Sequence, residues 1–330
     1  MAIAASATPA RDCDAYGPGG RSAWLDVDWR LHQRWVMVAG HPVNLVDLGP
    51  SDASADGSGA PPDGALTPLL FVHGLSGSWQ NFLENLPFFA DRHRVIALDL
   101  PGFGATPLTG VKVSVPAYAR LIVELMDVLG LPSACVVGNS MGGFVALELA
   151  QSTPERVHSL VLVSPAGLDA REQRRDRLLG GLRRAERLLI AGGTMVATHA
   201  DAVARRPRLR RATMHLAVRH PERLPTALMA EQIRQGSGKP GFVAAIDALT
   251  DHDIEGGLAD IRCPTLLYWG RQDRIVPVRD AGRFLQSIPG AACVILEDTG
   301  HLAMLERPQR FNADLAAFLA GAVVGAEAVD

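Results

Sequence analysis

Val136-Val137-Gly138-Asn139-Ser140-Met141-Gly142-Gly143 places a serine between an apolar, strand-like run and a helical pattern that extends from Phe144 to Ala150. G-x-S-x-G also occurs in ordinary turns; strand before and helix after are what make this copy chemically suggestive. A serine on so tight a turn needs neighbours with little side chain, so that the backbone can close and a substrate can approach. The helix that follows would aim its positive end at a developing oxyanion. The chemistry implied is attack of the Ser140 hydroxyl on an acyl carbonyl.

A hydroxyl is a poor nucleophile at neutral pH, so Ser140 needs a base and the base needs an orienting carboxylate. His301, in Glu297-Asp298-Thr299-Gly300-His301, follows the last apolar run of the chain and is the candidate base among ten histidines. Asp273, in Trp269-Gly270-Arg271-Gln272-Asp273, follows the preceding run and is the candidate acid. Each has a bland alternative: His301 as a hydrogen-bonded structural residue, Asp273 as a cap before Val276-Pro277. Asp169 is a rival carboxylate, and convergence at strand ends favours Asp273 over it. His73-Gly74-Leu75 ends another apolar run, and the backbone amides of Leu75 and Met141 are candidates for the oxyanion hole. The alternative there is a plain strand-to-helix turn, and His73 itself reads as a structural residue holding the loop.

These residues require strands that end together. From Leu69 onward, short apolar runs alternate with longer helical ones, the pattern of parallel strands with crossover helices. The runs expected as strands are Leu69 to Val72, Arg94 to Leu98, Ala134 to Val137, Val157 to Val163, Thr265 to Trp269 and Ala292 to Leu296. Helices are expected near Trp79 to Phe89, Val115 to Leu129, Gly142 to Ser152, Arg279 to Ser287 and Pro308 to Leu319. The regular spacing predicts one doubly wound, mostly parallel α/β sheet. Before it, Arg34 to Leu48 places two β-rich runs around Gly40-His41-Pro42, a hairpin pattern. Ser51 to Gly64 reads as a polar connecting loop, and residues 1–33 as an N-terminal tail.

Between Gly167 and about Asp260 the rhythm breaks, with no convincing strand and long Arg-, Leu- and Ala-rich segments. Leu178, Leu182, Ala185 and Leu189 fall on one face of a helix. The sequence thus divides into a core, 34–166 and 261–330, with a helical insertion at 167–260. From Arg171 to Arg187, seven arginines stand against Glu172, Asp176 and Glu186. Such a run reads first as a solvated helical face; attraction of anionic substrates and docking on acidic lipid are the sharper alternatives.

Composition limits the partners. With 48% hydrophobic residues, 20% charged residues and a formal net charge of -3, the chain has the profile of a globular protein with a sizeable core. Nucleic acid is not an implied partner. The four cysteines, Cys13, Cys135, Cys263 and Cys293, lie far apart without a C-x-x-C pair, so neither a metal site nor a disulfide is expected. No cofactor is implied, because neither G-x-G-x-x-G nor a phosphate loop stands after a strand. The first residues lack a cationic start before an apolar run, and no stretch of 18 apolar residues occurs, so cytoplasmic location without stable membrane insertion is the expectation.

With these pieces in place, the chain resembles the α/β-hydrolase family over nearly its whole length after about Arg34. The matching motifs are FVHG (Phe71 to Gly74), DLPGFG (Asp99 to Gly104), VGNSMGG (Val137 to Gly143), WGRQDRIVP (Trp269 to Pro277) and TGHLAMLERP (Thr299 to Pro308). The order Ser, Asp, His is also that family's order. The resemblance implies a helical cap over the active site at roughly 167–260, one that selects the substrate. Aspartate nucleophiles define the related epoxide hydrolases and haloalkane dehalogenases, so Ser140 argues against both reactions. The expected activity is hydrolysis of a small to medium acyl ester through an acyl-enzyme, with thioesters and lactones as variants. VGNSMGG also looks like the elbow of hydrolases that cleave carbon–carbon bonds in ring-fission products of aromatic degradation. Those enzymes usually carry Trp after the base, where this chain has Leu302, and a first loop richer in glycine than His73-Gly74-Leu75-Ser76-Gly77.

Overall fold

Leu69-Leu70-Phe71-Val72 contains no polar side chain because it lies in the middle of a sheet covered on both faces, where every residue must be apolar. The computed structural model describes residues 15–50, 66–108, 110, 112–166, 192–236 and 238–322. Its strands are β1 (Gln33–Val38), β2 (His41–Leu48), β3 (Leu69–Val72), β4 (Val95–Leu98), β5 (Ala134–Asn139), β6 (Val157–Val163), β7 (Thr265–Gly270) and β8 (Ala292–Leu296). They form one eight-stranded sheet in the order β1-β2-β4-β3-β5-β6-β7-β8. β2 runs antiparallel to both β1 and β4, and the other pairings are parallel. The hairpin between β1 and β2 turns on Ala39 and Gly40, with φ of 48° and 80°, the paired positive angles of a tight two-residue turn.

Alternate residues of each strand enter two separate cores. Leu70, Val72, Val136, Leu162, Leu267 and Ile295 pack on one face, against α2 (Val115–Val128), α3 (Met141–Ser152) and α8 (Arg279–Ser287). Leu69, Phe71, Val137, Val163, Tyr268 and Val294 pack on the other, against α1 (Leu86–Ala90), α9 (Ala303–Glu306) and α10 (Pro308–Leu319). The interval expected to be strand-free carries, among its described residues, only helices: α4 (Ala200–Ala204), α5 (Pro207–Met214), α6 (Thr226–Gly236) and α7 (Phe242–Asp251), with 3-10 turns at Pro221–Arg223 and Glu255–Asp260. Asp169, the Arg171-to-Arg187 run and the 51–64 loop lie outside the described residues. No described helix is long and apolar enough to cross a membrane.

Two expectations change. The single helix near Trp79 to Phe89 is a 3-10 turn at Trp79–Phe82 and then α1. Asn81 caps the first piece through the Ser78 amide, and Pro87, which cannot donate inside a helix, sits in the first turn of the second. The segment before β1 is not loose over its described part. Ser22 Oγ and Trp24 Nε1 both donate to Glu84 Oε1 at 2.6 and 3.0 Å, Trp29 packs on Trp79, and the Gly17 amide donates to Glu306 O at 2.7 Å.

The chain passes from β3 to β4 on one side and then to β5 on the other side of β3. That reversal opens a crevice at the carboxyl ends of β3 and β5, the place where such sheets receive ligands.

Candidate active site

Ser140 follows β5 directly and caps α3 from the crevice. Its backbone has φ 53° and ψ -116°, a left-sided conformation that costs a non-glycine residue energy and persists only where the surroundings enforce it. The enforcing contacts are tight. A Cβ on Gly142 would come within 2.1 Å of Val72 O, so only glycine lets α3 start against the end of β3. The Ser140 amide donates to Val163 O at 2.9 Å, while Ser140 O accepts from the Phe144 and Ala166 amides at 3.1 Å each. The serine is 7% exposed.

Asp273 and His301 meet at the ends of β7 and β8. His301 Nδ1 lies 2.7 Å from Asp273 Oδ2, with side-chain exposures of 5% and 0%. A carboxylate facing Nδ1 requires the proton there, which leaves Nε2 as the acceptor. Asp273 also does what its bland alternative foresaw: Oδ1 accepts from the amides of Ile275 and Val276 at 2.8 and 2.9 Å. One oxygen therefore holds the turn and the other holds the imidazole. The His301 loop is tied to the elbow by Asn139 Nδ2, which donates to Val163 O at 3.0 Å and to His301 O at 3.4 Å. The His301 amide donates to Ala217 O at 2.9 Å, from the helical insertion.

The loop after β3 flanks the serine from the other side, where a Cβ on Gly74 would stand 2.9 Å from Ser140 Cβ. The Leu75 amide belongs to this loop and the Met141 amide to the first residue of α3. His73 holds this loop. Its Nδ1 donates to Gly74 O at 2.8 Å and its Nε2 accepts from the Leu100 amide at 3.0 Å, so it is the neutral Nδ1–H tautomer. Burial holds its pKa below the ordinary histidine value, and Lys239 pushes the same way, against the attraction of Asp99. Two buried histidines thus differ by partner: His73 faces backbone at both nitrogens, whereas His301 faces a carboxylate.

Because its folded-state value is depressed, the unfolded chain takes up the His73 proton first as pH falls. Stability is then lost below about pH 6.5, the unperturbed histidine value. Urea unfolding of wild type and His73→Gln between pH 7.5 and 5.5 should show a steeper loss in wild type. Equal slopes would mean that His73 is not held neutral.

Motif reading missed Glu306, Asn139, Tyr16 and Ala217 as supports of the site. Only Glu306 carried a cue, an acid directly after the buried Ala303-Met304-Leu305. Among the described residues, Cys135, Cys263 and Cys293 are free thiols, and burial pushes Cys135 up to about 12, as suits a core residue.

The profile of the alpha/beta hydrolase fold family matches residues 67–308. The chain is similar to the dihydrolipoyllysine-residue acetyltransferase component of the acetoin cleaving system of Cupriavidus necator, at 30% identity over 86% of this chain and 74% of that protein. It is similar also to the 2-hydroxy-6-oxononadienedioate/2-hydroxy-6-oxononatrienedioate hydrolase of Paraburkholderia phymatum, at 31% identity over 76% of this chain and 86% of that one. Among solved structures, a bacterial membrane phospholipase A aligns with a TM-score of 0.64 and 25% identity, over 88% of this chain and 86% of the other. From the strand order to the strained serine and the extent of the family match, the chain belongs to the α/β-hydrolase fold family.

Proposed function

We propose that this protein is a serine hydrolase in which Ser140 is the nucleophile, His301 the general base and acid, and Asp273 the residue that orients the imidazole. The observation that carries the reading is the buried 2.7 Å contact between His301 Nδ1 and Asp273 Oδ2, in a loop tied by Asn139 to the elbow that holds Ser140 in a strained backbone conformation. His301 Nε2 takes the Ser140 proton as Oγ attacks the carbonyl carbon, and the oxyanion is held by the amides of Leu75 and Met141. The leaving group departs with the proton from His301. Water, deprotonated by the same imidazole, then attacks the acyl-enzyme and releases the acid and free Ser140. Removing one oxyanion donor typically costs about 100- to 1000-fold in rate.

Residues 167–260 serve in this reading as a cap over the core, 34–166 and 261–330. Support comes from the bonds the insertion makes around the site. Ala217 O accepts from His301, and Gln232 on α6 accepts from Asn81 Nδ2 at 2.6 Å and donates to Gln80 O at 2.8 Å, just beyond the Leu75 loop.

A small to medium acyl ester is the substrate the residues alone support. A second reading, cleavage of a carbon–carbon bond in a ring-fission product, is favoured by the likeness to the 2-hydroxy-6-oxononadienedioate/2-hydroxy-6-oxononatrienedioate hydrolase across 86% of its length. Comparing p-nitrophenyl esters of increasing acyl length with a 2-hydroxy-6-oxo-dienoate separates the two. Faster turnover of the esters assigns a carboxylic ester hydrolase, and the chain-length profile sizes the pocket. Preference for the dienoate assigns the carbon–carbon hydrolase. Folded protein that turns over neither would sink both.

A further inference from the structure

Glu306, at the end of α9, is fully buried, and every group recorded on its carboxylate is a donor. Tyr16 Oη–H donates to Oε2 at 2.7 Å, the Arg219 amide to Oε2 at 2.9 Å, and the Gly300 amide to Oε1 and Oε2 at 3.0 and 3.1 Å. A carboxylate is acceptor-only when ionised, so this set suits the charged form; a protonated acid would turn an O–H toward a donor. Burial opposes that charge and holds the pKa above the ordinary carboxylate value, and Tyr16 and the amides of Arg219, Gly300 and Leu302 offset that rise only in part. Two cations stack on the tyrosine ring. The guanidinium carbons of Arg223 and Arg307 lie 4.6 and 4.9 Å from the Tyr16 centroid.

The three elements joined here come from distant parts of the chain. Tyr16 belongs to the N-terminal segment, and its oxygen accepts from the His220 amide at 2.8 Å. Arg219 and His220 belong to the helical insertion. A second tie, between the last two of these elements, runs from His220 Nε2 to Asp298 Oδ1 at 2.7 Å and from Arg219 Nε to that oxygen at 3.3 Å. Gly300 directly precedes His301, whose own amide is held by Ala217 O at 2.9 Å. A buried charge is costly unless it is well hydrogen-bonded. Here it holds the Gly300 amide while Ala217 O holds the next one, so two successive peptide units are fixed immediately before the imidazole.

We propose that Glu306, with the Tyr16 hydroxyl closing the ring, is a positioning unit that fixes the Gly300-His301 backbone and so aligns the His301 ring between Asp273 and Ser140. The N-terminal segment is then part of the apparatus of catalysis. The inference rests on the serine hydrolase reading for its kinetic consequence, though not for its structural one.

The test uses the full chain with Tyr16→Phe, which removes only the hydroxyl and keeps the stacked ring, and Glu306→Gln, which turns a donor toward donors. Two quantities are read: kcat and KM on the best substrate, and the far-downfield proton resonance of His301 Nδ1–H, assigned by its loss in His301→Gln. The expected result is a fall in kcat of about 10- to 100-fold in Glu306→Gln, the scale of a small misplacement of a catalytic group. Tyr16→Phe should show a smaller fall in the same sense, with KM changed less than about threefold in both. The resonance should shift or broaden while circular dichroism and cooperative unfolding persist. Should Glu306→Gln fail to fold, Tyr16→Phe alone decides.

Unchanged kcat and an unmoved resonance in folded variants would overturn the proposal, as would a loss confined to KM. If Ser140→Ala retains turnover, the hydrolase mechanism fails separately, and the resonance still reports whether Glu306 orders His301.

Discussion

Ser140→Ala is expected to lower kcat by about 10^5- to 10^6-fold, leaving only what the oxyanion donors and substrate binding contribute without a nucleophile. The substitution removes one atom from a side chain that is 7% exposed, at a backbone position whose positive φ is equally strained for alanine. The fold should therefore survive, with thermal unfolding within a few degrees of wild type. An independent readout is covalent: a fluorophosphonate should add one label to wild type, at Ser140, and none to the variant. Turnover of the best substrate that persists in folded Ser140→Ala would end the serine mechanism, whichever bond the enzyme cleaves. The size of the effect follows from the roles being sequential. Without Oγ there is no acyl-enzyme, and the imidazole held by Asp273 can at most activate water toward a carbonyl it is not aligned with.

The central sheet was legible in the sequence because its strands are buried on both faces. Leu69-Leu70-Phe71-Val72 and Val95-Ile96-Ala97-Leu98 contain nothing polar, and glycine or proline nearby marks their ends. The elements of the candidate site were legible for a related reason: each chemical residue follows a buried strand by a short turn, so strand order along the chain fixes where it emerges. What sequence did not carry is whatever depends on one side chain meeting a distant one. Trp79 to Phe89 has the spacing of a helix, yet Asn81 and Asn85 spend their amides elsewhere, on Gln232 and on Met304 O and Asn312. Those ties to distant elements are invisible without the partners. Tyr16 lies in a Gly- and Pro-rich stretch that reads as a tail, and its significance comes from Glu306, 290 positions later. No local pattern encodes a contact of that range. The pairing of Asp273 with His301 was inferable from their places at adjacent strand ends, but the second use of Asp273, holding the Ile275 and Val276 amides, appears only once the turn is seen.

That second use shapes the expected result for Asp273→Asn, a fall in turnover of about 10^4-fold at neutral pH with the fold retained. Asparagine keeps an oxygen that can accept from the Ile275 and Val276 amides, so the turn after β7 need not move. Its other atom becomes an NH2 facing His301 Nδ1, where the carboxylate now stands at 2.7 Å. A donor there can be met only by an unprotonated Nδ1, which moves the ring proton to Nε2, toward Ser140. The base then offers a proton where it should accept one, and the imidazolium formed during reaction has lost its counter-charge. Asp273→Ala should be worse in a different way, losing turnover and also the turn, with a measurable drop in unfolding temperature that Asp273→Asn does not share. Steady-state kinetics with circular dichroism on the two variants separates these effects. A fall of less than about tenfold in folded Asp273→Asn would mean that another carboxylate serves His301, and Asp169→Asn should then produce the loss that Asp273→Asn did not.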